Sequence, residues 1–176
     1  MRAFLAAGLA VCASFTGGAA AAQGGVPPEP PSVWSRVTLA VPVATRHTPN
    51  NRDFNNENWG LLADVALNER WSLVGGGFRN SYGRNTVLAG VAWQPLSARV
   101  GDARLRLGGM VGVDLNGGYR RFNSADPLIG AFNVRLTAAE PDARPLSRLG
   151  LLLTIIPPAP ENGSTAFNLA VTYKLR

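Results

Sequence analysis

The chain has 176 residues, a formal net charge of +6 and a single cysteine. Its length fits one domain, and a single cysteine excludes an intramolecular disulfide framework. A basic balance of this kind is common among nucleic-acid-binding proteins. No basic helix or base-stacking sheet motif accompanies it here, so we expect no nucleic-acid partner.

Residues 1–22 are typical of a secretory signal peptide. A positive start precedes a short apolar run over 3–15, and the alanines at 19–22 provide a small-residue cleavage site. The apolar run is too short for a membrane-spanning helix. Cys12 lies within it, so we expect a mature chain without a thiol. A lipoprotein is the weaker alternative, because Val11 stands where a small residue is needed before the modified cysteine.

Beyond a Pro- and Gly-rich linker over 23–34, apolar residues alternate with small or polar ones. The clearest case is 104–115, where Val111 lies on one side and Asp114 on the other. Period-two alternation indicates a strand with one apolar and one polar face. The predicted strands are Ser35–Arg46, Glu57–Leu67, Arg70–Arg79, Asn85–Gln94, Ala103–Leu115, Pro127–Ala138, Ser147–Ile156 and Ser164–Leu175.

These strands predict an all-β fold, an eight-stranded antiparallel transmembrane β-barrel over residues 35–176. Strands of about ten residues behind an export signal are typical of bacterial outer-membrane barrels, which have short periplasmic turns and long outward loops. Asn68-Glu69 is predicted as a tight turn, whereas Pro95–Asp102 and Ala139–Leu146 are predicted as longer inward connections. The outward loops are predicted at His47–Asn56, Asn80–Arg84, Asn116–Asp126 and Pro157–Gly163.

The apolar side of each strand is predicted to face lipid. Residues on the other side are small or charged, as at Gly108 and Asp114, and a lumen of that kind cannot serve as an oily core. A soluble lipocalin-like barrel, the alternative, would place its large residues inside. The residues that decide the direction are Leu105, Val111, Phe167 and Val171, predicted outward, and Arg106, Asp114 and Asn168, predicted inward. Aromatic residues near the strand ends suit interfacial belts, and they are Trp34, Trp59, Trp71, Trp93, Tyr119 and Tyr173.

Two side chains at the predicted outward end could perform acyl transfer. His47 lies where the first strand meets its loop, and Ser81 follows the third strand. An imidazole beside a hydroxyl can take the hydroxyl proton or orient the hydroxyl of an acceptor. A lone histidine at a loop is more often simply solvated, so this pair is weak evidence by itself. No residues have metal-ligand spacing, and we expect neither a metal nor a cofactor.

Five short segments together resemble the outer-membrane lipid A palmitoyltransferase family. The resemblance covers nearly all of the chain after the signal peptide. It is carried by Val41–His47, Asp53–Gly60, Phe78–Tyr82, Ala89–Trp93 and Thr154–Pro157, in the same order as in the family. Each segment alone is short, but their order and spacing are moderately specific.

The resemblance implies an eight-stranded barrel that moves a palmitoyl-like chain from a phospholipid to lipid A of lipopolysaccharide. His47 and Ser81 match two essential residues, as the base or orienting group and as the group that polarises or carries the acyl chain. Asn80 stands where the family has an aspartate, and we expect it to hold the pair. An amide can orient an imidazole but cannot stabilise an imidazolium by charge.

The resemblance also assigns residues to substrate binding. Pro42 and Pro157 match prolines that open lateral gates for lipid, since proline lacks the ladder donor. Pro127 is a further candidate, and Asn58 replaces one expected gate proline. The acyl pocket of the family ends at a glycine-rich floor. Gly90 and Ala92 lie in the matching strand, with Ala92 in place of a floor glycine.

The expected partners are a phospholipid donor, a lipid A acceptor and the membrane itself, with the protein acting as a monomer. Arginines at the outward end are predicted to bind lipid A phosphates, and they are Arg46, Arg52, Arg79, Arg84, Arg120 and Arg121. Two rival hypotheses stay open: a non-catalytic outer-membrane barrel of the same fold with a lipid-binding or structural role, and a soluble periplasmic lipid carrier.

Overall fold

The alternating segments form antiparallel strands that close into a barrel, with each strand paired to its neighbours in the sequence and the first strand paired to the last. The structure is a computed structural model and describes residues 32–50, 53–119, 127–140, 144–158 and 163–175. Within these ranges there are eight strands, and they are β1 (Val37–Thr48), β2 (Gly60–Ala66), β3 (Trp71–Arg79), β4 (Asn85–Val100), β5 (Ala103–Asp114), β6 (Leu128–Ala138), β7 (Leu149–Ile156) and β8 (Thr165–Lys174). The predicted all-β, eight-stranded antiparallel barrel is confirmed. The predicted signal peptide, and the linker up to residue 31, lie outside the described residues.

The connections between strands differ in length at the two ends of the barrel. We call one end the turn end, with connections 67–70, 101–102 and 139–148, the last containing the 3-10 helix Pro145–Arg148. We call the other end the loop end, with connections 49–59, 80–84, 115–127 and 157–164. In the described part of the chain, no helix is long and apolar enough to cross a membrane.

One predicted connection is wrong. Pro95–Asp102 was expected to be a long loop, but β4 continues to Val100 and only Gly101-Asp102 form the turn. The register shifts between Trp93 and Leu96, so a bulge accommodates Pro95, which lacks a ladder donor. Gly101 has a φ of 59°, a left-handed conformation that favours glycine in this two-residue turn.

Many large apolar side chains lie on the outside of the barrel. Val111 is 59% exposed, and Phe167 and Val171 are exposed as well. Leu105 is half-buried on the same outward face of β5 as Val111. On the inward face, Asp114 is buried, and Arg106 and Asn168 line internal cavities. The predicted direction of the strand faces is therefore confirmed.

Tryptophans occupy the outer surface near both ends of the barrel. Trp71 and Trp93 face each other across β3 and β4 with ring centroids 5.8 Å apart, close to the turn end. Trp34 is exposed at the same end, and Trp59 is exposed at the loop end. Tyr119, by contrast, does not belong to an outer belt, because it lines the internal cavity at the loop end.

Candidate functional site

A bulge in β1 turns His47 toward the lumen. Ala40 and Pro42 face inward, but the pairing with β8 shifts by one residue between Pro42 and Ala44. After a one-residue shift the other set of side chains faces the lumen. Thr45 and His47 are consequently buried, whereas Arg46 points outward. Strict alternation from Val41 would have placed His47 on the outer surface.

Ser81 belongs to the compact loop 80–84 between β3 and β4, at the same end as His47. The loop is closed by hydrogen bonds from the backbone N–H of Asn80 to the carbonyl of Arg84 and from Gly83 to the carbonyl of Asn80. Gly83 has a φ of 71°, which favours glycine at this turn. The loop is therefore ordered by its own backbone and holds the Ser81 hydroxyl over the lumen.

His47, Ser81 and Asn56 form a hydrogen-bonded chain. The Nε2 atom of His47 is 2.8 Å from the Oγ atom of Ser81, and both side chains are buried. The Nδ1 atom of His47 is 3.0 Å from the Oδ1 atom of Asn56. An amide oxygen only accepts, so Nδ1 carries the proton and Nε2 is free to accept from the Ser81 hydroxyl. This is the relation between nucleophile, base and orienting group found in acyl-transfer enzymes.

Asn55 joins the loop that carries Asn56 to the loop that carries Ser81. Its backbone N–H donates to the carbonyl of Ser81 at 2.7 Å, and its Nδ2 atom donates to the carbonyl of Asn80 at 3.2 Å. Neither Asn55 nor Asn56 was predicted as a site residue, although both lie in the Asp53–Gly60 segment that carries part of the resemblance. The feature of the sequence that points to them is a cluster of asparagines shortly after the candidate histidine.

The expected contact between Asn80 and the His–Ser pair is wrong. Its Nδ2 atom donates to the Oγ1 atom of Thr86 and to the carbonyl of Gly118, at 3.0 and 3.1 Å. Its Oδ1 atom accepts from the backbone N–H groups of Tyr82 and Arg84. The Asn80 amide thus donates two hydrogen bonds and accepts two, which is the full number that an amide side chain can make. Asn80 thus orders the loop that holds Ser81, and the side chain that orients His47 is Asn56.

An aromatic cluster covers the pair from the loop end. The ring of Phe54 stacks on His47 with centroids 4.2 Å apart, and Tyr82 meets Phe54 edge-on at 5.8 Å. Tyr119 continues the cluster at 5.9 Å from Tyr82. The pKa of Tyr119 is raised, first by desolvation and then by Tyr82 and Asp114, so its phenol stays protonated. The ring of Phe54 therefore covers one face of the His47 imidazole.

Below the pair, the barrel encloses a cavity that we call the apolar chamber. Ser81 and Pro42 line its upper part. Most of its remaining wall is aliphatic or aromatic, from Ala40, Leu62, Val74, Phe78, Leu88, Met110, Ile129, Ala131, Leu152, Ile156 and Ala166. At its lower end lies an ion pair in which the Nη2 atom of Arg135 is 2.6 Å from the Oδ2 atom of Asp64. The open space in the chamber is about 80 Å³, room for a short stretch of apolar chain next to Ser81.

Two seams of the barrel are unpaired near this site in the described residues. β1 pairs with β2 only from Val37 to Ala40, so the segment from Pro42 to His47 has no β2 partner. β6 pairs with β7 only from Phe132 to Thr137, and Pro157 follows the last residue of β7. At these seams the barrel wall lacks the ladder hydrogen bonds that join the strands elsewhere. Both lie at predicted gate prolines, whereas Pro127 lies just before β6, outside the strand.

The other predicted substrate-binding residues are placed as follows. Gly90 lies so close to β5 that a Cβ atom would meet the carbonyl oxygen of Val111 at 2.5 Å, which gives it a packing role. Ala92 is buried and faces the lumen on β4, between Leu88 of the apolar chamber and Gln94 of a second cavity. Asn58 lines the apolar chamber.

The predicted arginine cluster is only partly described. Arg46 lines a surface pocket that reaches His47 and Asn56. Arg79 donates from Nε to the carbonyl of Gly83 at 3.3 Å and so supports the loop of Ser81. Arg84 is exposed in that loop, while the predictions for Arg52, Arg120 and Arg121 lie outside the described residues.

No protein-family model matches the sequence, and no curated protein matches it. In the part of the chain that the structure describes, no three His, Cys, Asp or Glu side chains are grouped to hold a metal.

Proposed function

We propose that this protein is an acyltransferase of the bacterial outer membrane that moves a fatty acyl chain from a phospholipid to lipid A. The observation that carries the proposal is the buried hydrogen bond of 2.8 Å between His47 and Ser81 at the mouth of the apolar chamber. A hydroxyl paired with a base can attack an ester carbonyl, and the apolar wall of the chamber can contact the attached hydrocarbon.

In either order of chemistry, Nε2 of His47 accepts a hydroxyl proton and returns it to a leaving oxygen. In a covalent route, the Oγ atom of Ser81 attacks the donor ester and its proton passes to Nε2 of His47. In a direct route, the acceptor hydroxyl gives its proton to Nε2 and attacks the ester that Ser81 polarises. In both routes the donor ester C–O bond breaks, and Nε2 returns the proton to the leaving lysophospholipid oxygen. The covalent route needs a second step, in which the lipid A hydroxyl gives its proton to Nε2 and attacks the acyl-serine ester. The bond between the acyl carbon and Oγ of Ser81 then breaks, and Nε2 returns the proton to Oγ. Asn56 keeps the imidazole in the required tautomer throughout.

The outer surface of the barrel supports a membrane location. Exposed valine, leucine and phenylalanine side chains cover the strands between exposed tryptophans at the two ends. Such an apolar band with aromatic girdles is typical of outer-membrane barrels. A soluble carrier would expose this surface to water, where apolar patches of such extent are rare. The unpaired seams beside Pro42 and Pro157 open sideways, toward the lipid of this location.

The test is mass spectrometry of lipid A from Gram-negative cells with and without the protein. We expect an added acyl chain with the wild-type protein and with Ser97→Ala, a matched control because Ser97 is exposed on β4 far from the site. His47→Ala and Ser81→Ala should remove the added chain while the protein still fractionates with the outer membrane. Unmodified lipid A in every sample, with the wild type folded in that membrane, would leave the non-catalytic barrel as the better hypothesis.

A further inference from the structure

A second internal cavity lies at the turn end, on the other side of the Asp64–Arg135 ion pair, and we call it the basic vestibule. Its wall carries far more positive than negative charge. Among the described residues that line it, the cationic side chains are Arg36, Arg70, Arg104, Arg106, Arg135, Arg148 and Lys174, and the acidic ones are Asp64 and Glu69. The acyl-transfer proposal uses none of these cations.

The vestibule holds like charges at close range. Arg106 on β5 lies directly opposite Arg135 on β6, and Arg104 points to the same face two residues before Arg106. Like charges directly opposite each other across a ladder are destabilising. One of the two acids is already engaged, because Asp64 accepts from both Arg135 and Ser72 through Oδ2. Two carboxylates therefore leave most of this positive charge uncompensated.

Three buried side chains in this cavity also have unused hydrogen-bonding atoms. The Nε2 atom of Gln94, the Nε atom of Arg135 and the Oγ1 atom of Thr172 have no hydrogen-bond partner in the described part of the chain. These residues are only 6%, 9% and 1% exposed, and all three line the vestibule. Each atom can donate. Buried donors without partners are rare in folded proteins and destabilise them.

We infer that the basic vestibule is a binding site for a phosphate group. Phosphate offers acceptor oxygens in several directions and carries the charge that this cluster lacks. Arginine forks match its geometry, and Gln94 and Thr172 supply neutral donors from β4 and β8. The group could come from a lipid headgroup or from a soluble phosphate ester. The inference stands apart from acyl transfer, because no residue of the His47 site takes part in it.

The first test is calorimetric titration of the whole protein in detergent with inorganic phosphate, at constant ionic strength. We expect saturable binding that weakens at least about tenfold in Arg106→Gln and in Gln94→Leu, since each removes a donor to a charged group. Gln94→Leu leaves the net charge unchanged, so it separates specific binding from general attraction of anions. Arg99→Gln is the matched control, because Arg99 lies at the turn end but pairs with exposed Glu140 outside the vestibule.

Thermal unfolding gives an independent test, because Arg106→Gln should raise the melting temperature without phosphate but reduce the stabilisation that phosphate adds. Without phosphate, Arg106→Gln should raise the melting temperature because it relieves repulsion by Arg104 and Arg135. Phosphate should raise the melting temperature of the wild type and of Arg99→Gln, since a ligand of the native state stabilises it. It should raise that of Arg106→Gln much less. A variant that failed to fold would be recognised by the absence of a transition.

Two sources of the phosphate are separated by lipid retention. The protein is transferred from the membrane into detergent, and the bound phospholipid is quantified by phosphorus analysis. Loss of bound lipid in Arg106→Gln but not in Arg99→Gln assigns the site to a lipid headgroup. Phosphate binding without retained lipid assigns it to a soluble ester. The inference is overturned if the wild type binds neither, or if Arg106→Gln, Gln94→Leu and Arg99→Gln all bind phosphate as the wild type does.

Discussion

The backbone amide of Asn55 donates to the carbonyl of Ser81 at 2.7 Å, across 26 residues of sequence that include two strands. This bond ties the loop after β1 to the loop after β3, so that the side chain of the next residue, Asn56, reaches His47 at 3.0 Å. Asn56 and Ser81, the two side chains that contact His47, are therefore held by one small hydrogen-bond network.

Removing the Asn56 side chain should slow acyl transfer. In Asn56→Ala the imidazole loses the acceptor that fixes its tautomer, and we expect kcat to fall by up to about a hundredfold with KM little changed. Asn56→Asp keeps an acceptor at the same position and adds a charge that stabilises the imidazolium, so its kcat should equal or exceed that of the wild type. The measurement is steady-state transfer from a labelled phospholipid in micelles. Equal rates for Asn56→Ala and the wild type would show that His47 is not oriented by this contact.

An acid at position 80 should not improve the enzyme. In Asn80→Asp a carboxylate would face the carbonyl of Gly118, where the amide now donates. We expect the free energy of unfolding to fall by about 1–3 kcal/mol and activity to fall with it. Asn85→Asp is the control, because Asn85 is exposed at the start of β4. The measurement is urea unfolding together with the transfer assay, and faster transfer by Asn80→Asp would contradict the loop-ordering role.

A charged side chain on the outer face should lower the free energy of unfolding only if that face contacts lipid. Val111 is 59% exposed in the middle of the apolar band, and Val111→Arg should destabilise a membrane barrel by about 2–4 kcal/mol. In a soluble protein the same change would be nearly neutral. Leu146→Arg at the turn end, where Leu146 is 79% exposed outside the strands, should have little effect in either case. Equilibrium unfolding from lipid vesicles compares the two variants, and equal stabilities would count against the membrane location.

A smaller residue at position 92 should lengthen the transferred chain. Ala92 is almost completely buried and faces the lumen between the apolar chamber and the basic vestibule. Ala92→Gly should favour an acyl chain about one methylene longer, a preference worth roughly 1 kcal/mol. Ala89→Gly, on the outward face of the same strand, should leave chain length unchanged. Mass spectrometry of the modified lipid A gives the length of the added acyl chain for both variants. The same length distribution in both would show that Ala92 does not limit the length of the acyl chain.

The barrel was predictable because its physical cause is local and repeated. Each strand must place apolar side chains on one side, and the sequence around Val111 and Asp114 alternates accordingly. Pro95 misled the prediction of β4 because proline usually interrupts pairing, whereas here a bulge lets the strand continue to Val100. A bulge depends on the neighbouring strand, which alternation within one strand does not describe.

The candidate site was predictable by residue type but not by contact. His47 and Ser81 were expected at the same end of the barrel, and they meet there. That Asn56 and not Asn80 contacts His47 could not be predicted, because both are asparagines in loops and one partner of Asn80 is remote in the sequence. Gly118, which accepts from Asn80, lies 38 residues further along the chain. The inward turn of His47 likewise depends on the register shift against β8.

The most direct test uses the purified protein in detergent with a phospholipid whose acyl chains are isotopically labelled, and with lipid A as acceptor. We expect label to appear in lipid A and an equal amount of lysophospholipid to be released, with both absent for Ser81→Ala and His47→Ala. Label transfer that persists in folded Ser81→Ala, or no transfer by the folded wild type, would contradict the central claim that the His47–Ser81 pair performs acyl transfer.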